Sequence, residues 1–121
     1  METLAVTIEE HKHLLLDVWV EEAAILERVA PWREILRGAA ERMEATIIAE
    51  RFHQFEPHGV TGFLLLAESH ISVHTWPEEN FAAIDIFFCG PMDTDSVVGW
   101  LETQLAVRSK RVRVMMRGDI A

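Results

Sequence analysis

Ser69 follows directly on an acid, Glu68, with His74 five positions further on and Cys89 twenty positions on. These residue types at this spacing suit a chain that cuts its own backbone. A serine hydroxyl can add to the preceding carbonyl if the peptide is held strained and a base takes the proton. The resulting ester can eliminate to dehydroalanine, and hydrolysis then leaves a pyruvoyl cap on residue 70. Such a cap is a cofactor made from the chain itself. The plain alternative is that Ser69 is a turn residue between two strands.

Other residues have two readings each. Cys89, just before Gly90-Pro91, is either a small buried apolar group or a thiol at a cleft mouth. An unperturbed thiol pKa near ~8.5 suits proton donation to a carbanion. Phe55 is either core or a flat face for a ring-bearing ligand. Glu78 is either a solvated loop acid or a carboxylate that accepts hydrogen bonds from sugar hydroxyls. His70 and His74 share one face of a strand, which places Ser69 on the other face unless the chain bends between 67 and 70. A metal site built on His53, His70 and His74, with His13 or Cys89 adding ligands, lacks the tight spacing of a zinc motif, and no metal is expected. Asp17, flanked by apolar residues, faces the open side or is buried with a partner.

The elements that must position these groups are readable from periodicity. Residues 13–20 read as a buried strand. Residues 21–44 turn helical in two pieces split at Ala30-Pro31, with Pro31 at a first helical position. Ile35, Leu36, Ala39, Ala40 and Met43 form the apolar stripe. Strands follow at 45–55, 63–67, 71–75 and 81–89, with a turn over 56–59 and a loop over 76–80. A helix opens at Asp93 and runs to about residue 107. The basic cluster from Arg108 to Arg113 marks the exposed edge entering a last strand, 111–116. This order predicts an α+β two-layer sandwich, an antiparallel sheet with two main helices on one face. A sheet left bare on its other face favours a dimer, an α/β/β/α stack.

The 121 residues suit a single domain, 1–121. Half of them are hydrophobic, enough for a core, and the lone cysteine excludes an internal disulfide framework. A net charge of −9 argues against a nucleic-acid partner and is compatible with a cationic substrate. No apolar run reaches the ~20 residues that span a bilayer. Residues 1–10 carry no basic region before an apolar one, so no secretory signal is expected, and the expected location is cytoplasmic.

Together, Gly59-Val60-Thr61-Gly62, Glu68-Ser69-His70, His74-Thr75-Trp76-Pro77-Glu78, Ala82-Ala83-Ile84-Asp85 and Cys89-Gly90 resemble the short prokaryotic S-adenosylmethionine decarboxylase proenzymes. Residues 13–17 and 52–55 are similar to that family as well. The resemblance implies cleavage between Glu68 and Ser69, giving a β chain of residues 1–68 and an α chain of 69–121 capped by pyruvoyl. It implies His74 as the processing histidine and Cys89 as the proton donor. Thr61 stands where a serine that assists processing is usual, and keeps its hydroxyl. Phe55 matches an aromatic that stacks on adenine, and Glu78 the carboxylate that holds the ribose. The implied substrate is S-adenosylmethionine, the implied product feeds spermidine synthesis, and the implied assembly is a homodimer. Two alternatives stay open: a pyruvoyl decarboxylase of arginine or ornithine, and an uncut relative acting as a binding or regulatory partner.

Overall fold

The computed structural model describes residues 10–118. Strand β1 (His11–Val20) is followed by a short 3-10 turn at Ala23–Leu26 and helix α1 (Val29–Arg42). Then come β2 (Ile47–Gln54), β3 (Val60–Leu66) and β4 (Ser69–Trp76). A second 3-10 turn at Pro77–Glu79, β5 (Phe81–Cys89), α2 (Thr94–Leu105) and β6 (Val107–Met116) complete the chain. The six strands form one antiparallel sheet in the order β2-β3-β4-β5-β1-β6. No helix among the described residues is long and apolar enough to cross a membrane. Residues 1–9, which carry most of the secretory-signal argument, lie outside the described range.

Alternation decides which side of the sheet is core. Leu14, Leu16, Val18 and Val20 of β1 are buried, as are Ile71 and Val73 of β4 and Ile84, Ile86 and Phe88 of β5. They meet Trp32, Ile35, Leu36, Ala39 and Ala40 of α1 and Val97, Val98, Leu101 and Leu105 of α2 in one cluster. Burying each large side chain of this kind contributes about 1.5–3 kcal/mol, and both helices therefore settle on this face. The intervening residues leave the other face without a layer. The expected α+β sandwich is the observed one.

The helical stretch differs in detail. Its break falls at residues 27–28, and Pro31 is the third residue of α1 rather than the first. The first four N–H groups of a helix have no partner within it, so proline is tolerated there too. Strands β3, β4 and β6 are also longer than their apolar runs suggested, because cross-strand pairing holds polar ends such as Thr61 and Ser69 in the ladder. At the helix–helix contact, Gly38 leaves room for the Trp100 ring, which a Cβ there would strike.

Helix α1 ends in a left-handed turn at Glu44, φ 57°. The Ala45 N–H reaches the Ala40 carbonyl at 2.9 Å and the Glu44 N–H reaches that of Glu41 at 3.0 Å. That pattern favours glycine at the left-handed position, where a Cβ crowds the backbone. Glu44→Gly is expected to stabilise the fold by about 0.5–1 kcal/mol, read from the urea midpoint. An unchanged or lower midpoint would refute this account of the helix end.

Candidate active site

The cutting chemistry centres on a tight turn. Ala67 and Glu68 alone join β3 to β4, and Ser69 opens β4 opposite Leu66 and Phe88. Ser69 has φ 147°, a region that residues with a Cβ avoid. The bend that would bring Ser69 onto the face of His70 and His74 is not made: Ser69 keeps the alternation of the buried residues Ile71 and Val73, on a distorted backbone. The carbonyl of Glu68 accepts a 3.0 Å hydrogen bond from the Cys89 N–H. That donor polarises the carbonyl Ser69 would attack, as oxyanion-stabilising donors do.

The Glu68 carboxylate is held as well. It accepts from the Thr46 N–H at 3.0 Å and from the Thr46 hydroxyl at 3.2 Å. Thr46 in turn accepts the Ala67 N–H through its carbonyl at 2.9 Å. The backbone N–H of Thr46 is the main reason the Glu68 carboxyl lies below its ordinary range, against a smaller opposing effect of burial. Beside this turn opens a cavity of ≈ 420 Å³ that includes Glu68, Cys89, Gly90 and Asp93 in its wall. Cys89 ends β5, half-buried, one residue past the partner of Ser69.

The remaining residues gather at the far end of the strands. Thr61 lies opposite His74, and the Thr61 hydroxyl and His74 Nδ1 are 3.1 Å apart. Thr75 is fixed on the core side, where its hydroxyl accepts from the Val60 N–H and donates to the Leu26 carbonyl. Strand alternation then turns His74 to the open face. Phe55 is 47% exposed, so it is not core. It stands at a turn closed by its N–H bonding to the Gly59 carbonyl, with Gly59 at φ 121°, which a glycine adopts without strain. Glu78 sits on the 3-10 turn that Asn80 ties to Val20. Phe55, His58, Thr61, His74 and Glu78 share a cavity of ≈ 250 Å³. Within it, His58 Nδ1 is buried without a hydrogen-bond partner among the described residues. A flat exposed ring and a carboxylate thus border one cavity.

One chain therefore divides the sequence-derived residues in two. Glu68, Ser69 and Cys89 lie at one end of the sheet; Phe55, Thr61, His74 and Glu78 lie at the other. Five strand rises separate Ser69 from His74, about 17 Å. No contact between them within one chain is possible at that spacing.

Between the two ends lies a polar network that no reading of the sequence assigned. Asp85 receives His13 Nε2 and His70 Nε2, each at 3.1 Å, and the Ser72 hydroxyl at 3.0 Å. Burial raises the Asp85 carboxyl, but the bonds from His13 and Ser72 and the charge of His70 outweigh it and leave it below its ordinary range. Of the histidines named for a metal, His70 and the added His13 meet here, while His53 and His74 are not in the group. Among the described residues, His13, His70 and Asp85 alone approach the closeness a shared ion needs. Arg117 stands 3.1 Å from His13 Nδ1 and can only donate. Nδ1 thus accepts, and the Nε2–H donates to the Asp85 carboxylate. An isolated acid on an open strand face was the available signal. Asp17 also faces the open side, where it lines a cavity with Arg111 and Arg113.

Comparison with known proteins identifies the family of this fold. The family model described as S-adenosylmethionine decarboxylase matches residues 12–118. An S-adenosylmethionine decarboxylase proenzyme of Aquifex aeolicus (strain VF5) is 41% identical over 109 residues, covering 89% of this chain and 81% of that one. The proenzyme of Clostridium botulinum (strain Loch Maree / Type A3) is 38% identical and covers 89% of this chain and 94% of its own. The crystal structure of adenosylmethionine decarboxylase from Aquifex aeolicus VF5 superposes with a TM-score of 0.84 at 37% identity, covering 93% of each chain. The chain belongs to the S-adenosylmethionine decarboxylase family.

Proposed function

We propose that this protein is a cytoplasmic, self-cleaving, pyruvoyl-dependent decarboxylase of S-adenosylmethionine, folded as one domain, whose sites are completed by a second copy. The observation that carries it is the Glu68–Ser69 peptide: its carbonyl is held by the Cys89 N–H, and its serine sits at φ 147°. The Ser69 hydroxyl adds to the Glu68 carbonyl carbon, the C–N bond breaks, and Glu68 becomes esterified to Ser69. His74 takes the α-proton of residue 69, and Glu68 leaves as a carboxylate. Water then releases ammonia from the dehydroalanine. The residues at this turn fit the group that would form there: a new terminus at residue 69 lies one residue from Cys89 across the strands.

The pyruvoyl group supplies a ketone that takes up the substrate amine and withdraws electrons as carbon dioxide is lost. Cys89 gives the proton that replaces the carboxyl. Phe55 stacks on the adenine and Glu78 accepts from the ribose hydroxyls. An overall charge of −9 favours approach of a cationic sulfonium. The product is decarboxylated S-adenosylmethionine, the aminopropyl donor for spermidine synthesis.

The second copy follows from the 17 Å division, about five strand rises. Trp19, Phe63, Leu65, Trp76, Phe81 and Phe87 line the face without a helix layer, several of them well exposed. Such a face calls for a covering layer. A two-fold axis between two sheets and across their strands reverses strand direction. It lays the His74 end of one copy over the Ser69 end of its partner. Co-expression tests this reading. Ser69→Ala and His74→Ala chains, each uncut or slow alone, are expected to yield cut His74→Ala chains when they assemble together. Absence of cutting in the mixture would show that the site is not shared. Carbon dioxide release from S-adenosylmethionine, and not from arginine or ornithine, is expected of the cut enzyme; the reverse preference would replace the substrate.

A further inference from the structure

We infer that Thr46 is a positioning residue for self-cleavage, holding Glu68 so that the strained peptide at Ser69 cannot relax. This rests on the self-cleaving reading and adds a residue that the chemistry alone does not call for. Backbone strain persists only where its surroundings over-determine it. A two-residue turn on the sheet surface has few means to do so, and this one has a specific one. Three hydrogen bonds join Thr46 to residues 67 and 68: its N–H and hydroxyl to the Glu68 carboxylate, and its carbonyl to the Ala67 N–H. A fourth bond, from the Cys89 N–H, fixes the Glu68 carbonyl from the β5 side. The residue before the scissile bond is thus held at side chain and main chain from two different strand ends. Relaxing φ at Ser69 requires the 68–69 peptide to rotate. That rotation breaks the Cys89 bond to the Glu68 carbonyl and works against a residue 68 that the Thr46 bonds hold from the other side.

The clamp also explains why an acid precedes the serine. A carboxylate meets the two Thr46 donors with separate charged oxygens, whereas an amide would have to share one neutral oxygen between them. After cutting, the same bonds keep the Glu68 end beside β2.

Thr46 is exposed, so substitutions there leave the core untouched. The measurement is the rate at which freshly made or refolded chains convert to two fragments on denaturing gels. Thr46→Val keeps the shape and loses only the hydroxyl donor; cutting is expected to slow about three- to tenfold. The melting temperature of an uncut Ser69→Ala background should stay within about 1 °C. Thr46→Ser restores the donor and should recover the rate to within about twofold of the parent. In a Glu68→Ala background, which removes the acceptor, Thr46→Val should add no further slowing. Parent-like cutting by Thr46→Val, failure of Thr46→Ser to recover it, or additive slowing in the Glu68→Ala background would each overturn the assignment while leaving self-cleavage standing. A parent chain that never cuts would overturn both this inference and the reading beneath it.

Discussion

Ser69→Ala is expected to leave the chain whole, a single species with no carbon dioxide release from S-adenosylmethionine. The substitution removes one oxygen and nothing the fold requires. Ser69 stays paired through its backbone with Leu66 and Phe88, and its side chain is not part of the buried cluster. Without the hydroxyl the proposed nucleophile at the Glu68 carbonyl is gone. The strained φ and the Cys89 N–H then polarise a carbonyl that nothing attacks. Loss of cutting should therefore be complete while the circular dichroism spectrum matches the parent. Fragments that still form at the 68–69 bond in this variant would remove Ser69 from the chemistry.

Cys89→Ala is expected to separate the two activities. The hydrogen bond to the Glu68 carbonyl comes from the Cys89 backbone, so alanine retains it and fragments continue to form. Turnover depends on the thiol. Loss of a positioned proton donor typically costs about 10²–10⁴-fold, and the rate of carbon dioxide release should fall into that range. A cut variant with parent-like turnover would exclude the thiol as donor. A variant that neither cuts nor turns over would place the Cys89 side chain in processing instead.

The fold was legible because burial imposes period. Leu14, Leu16 and Val18 in β1 alternate with His13, Leu15 and Asp17, and Ile35, Leu36, Ala39 and Ala40 mark the packed face of α1. The ends of elements were less legible, since Pro31 is tolerated anywhere in a first turn and polar residues such as Thr61 extend strands through backbone pairing. Glu50 is instructive. Its charge on an edge strand looks out of place in sequence, but Arg33 and Arg37 of α1 reach it at 2.6 and 2.7 Å. Their hydrogen bonds hold its carboxyl below the ordinary range.

The candidate site shows the same limit from another side. Residue types identified Ser69, Cys89, Phe55 and Glu78 as chemically suitable, and the family resemblance added Thr61. What spacing could not say is that strand direction carries these residues to opposite ends of the sheet. Nor could it show Thr46, whose hydroxyl and amide serve a residue twenty-two positions away. Such contacts arise from the register between β2, β3 and β4, and register is a property of pairing rather than of any one segment.

Mass spectrometry of the purified parent chain under denaturing conditions is the most direct test of self-cleavage. The account predicts two species: residues 1–68 ending in a free carboxylate, and residues 69–121 lighter by one ammonia than a chain beginning with serine. A single intact chain of 121 residues after prolonged incubation, or a second fragment beginning with unmodified Ser69, would contradict it.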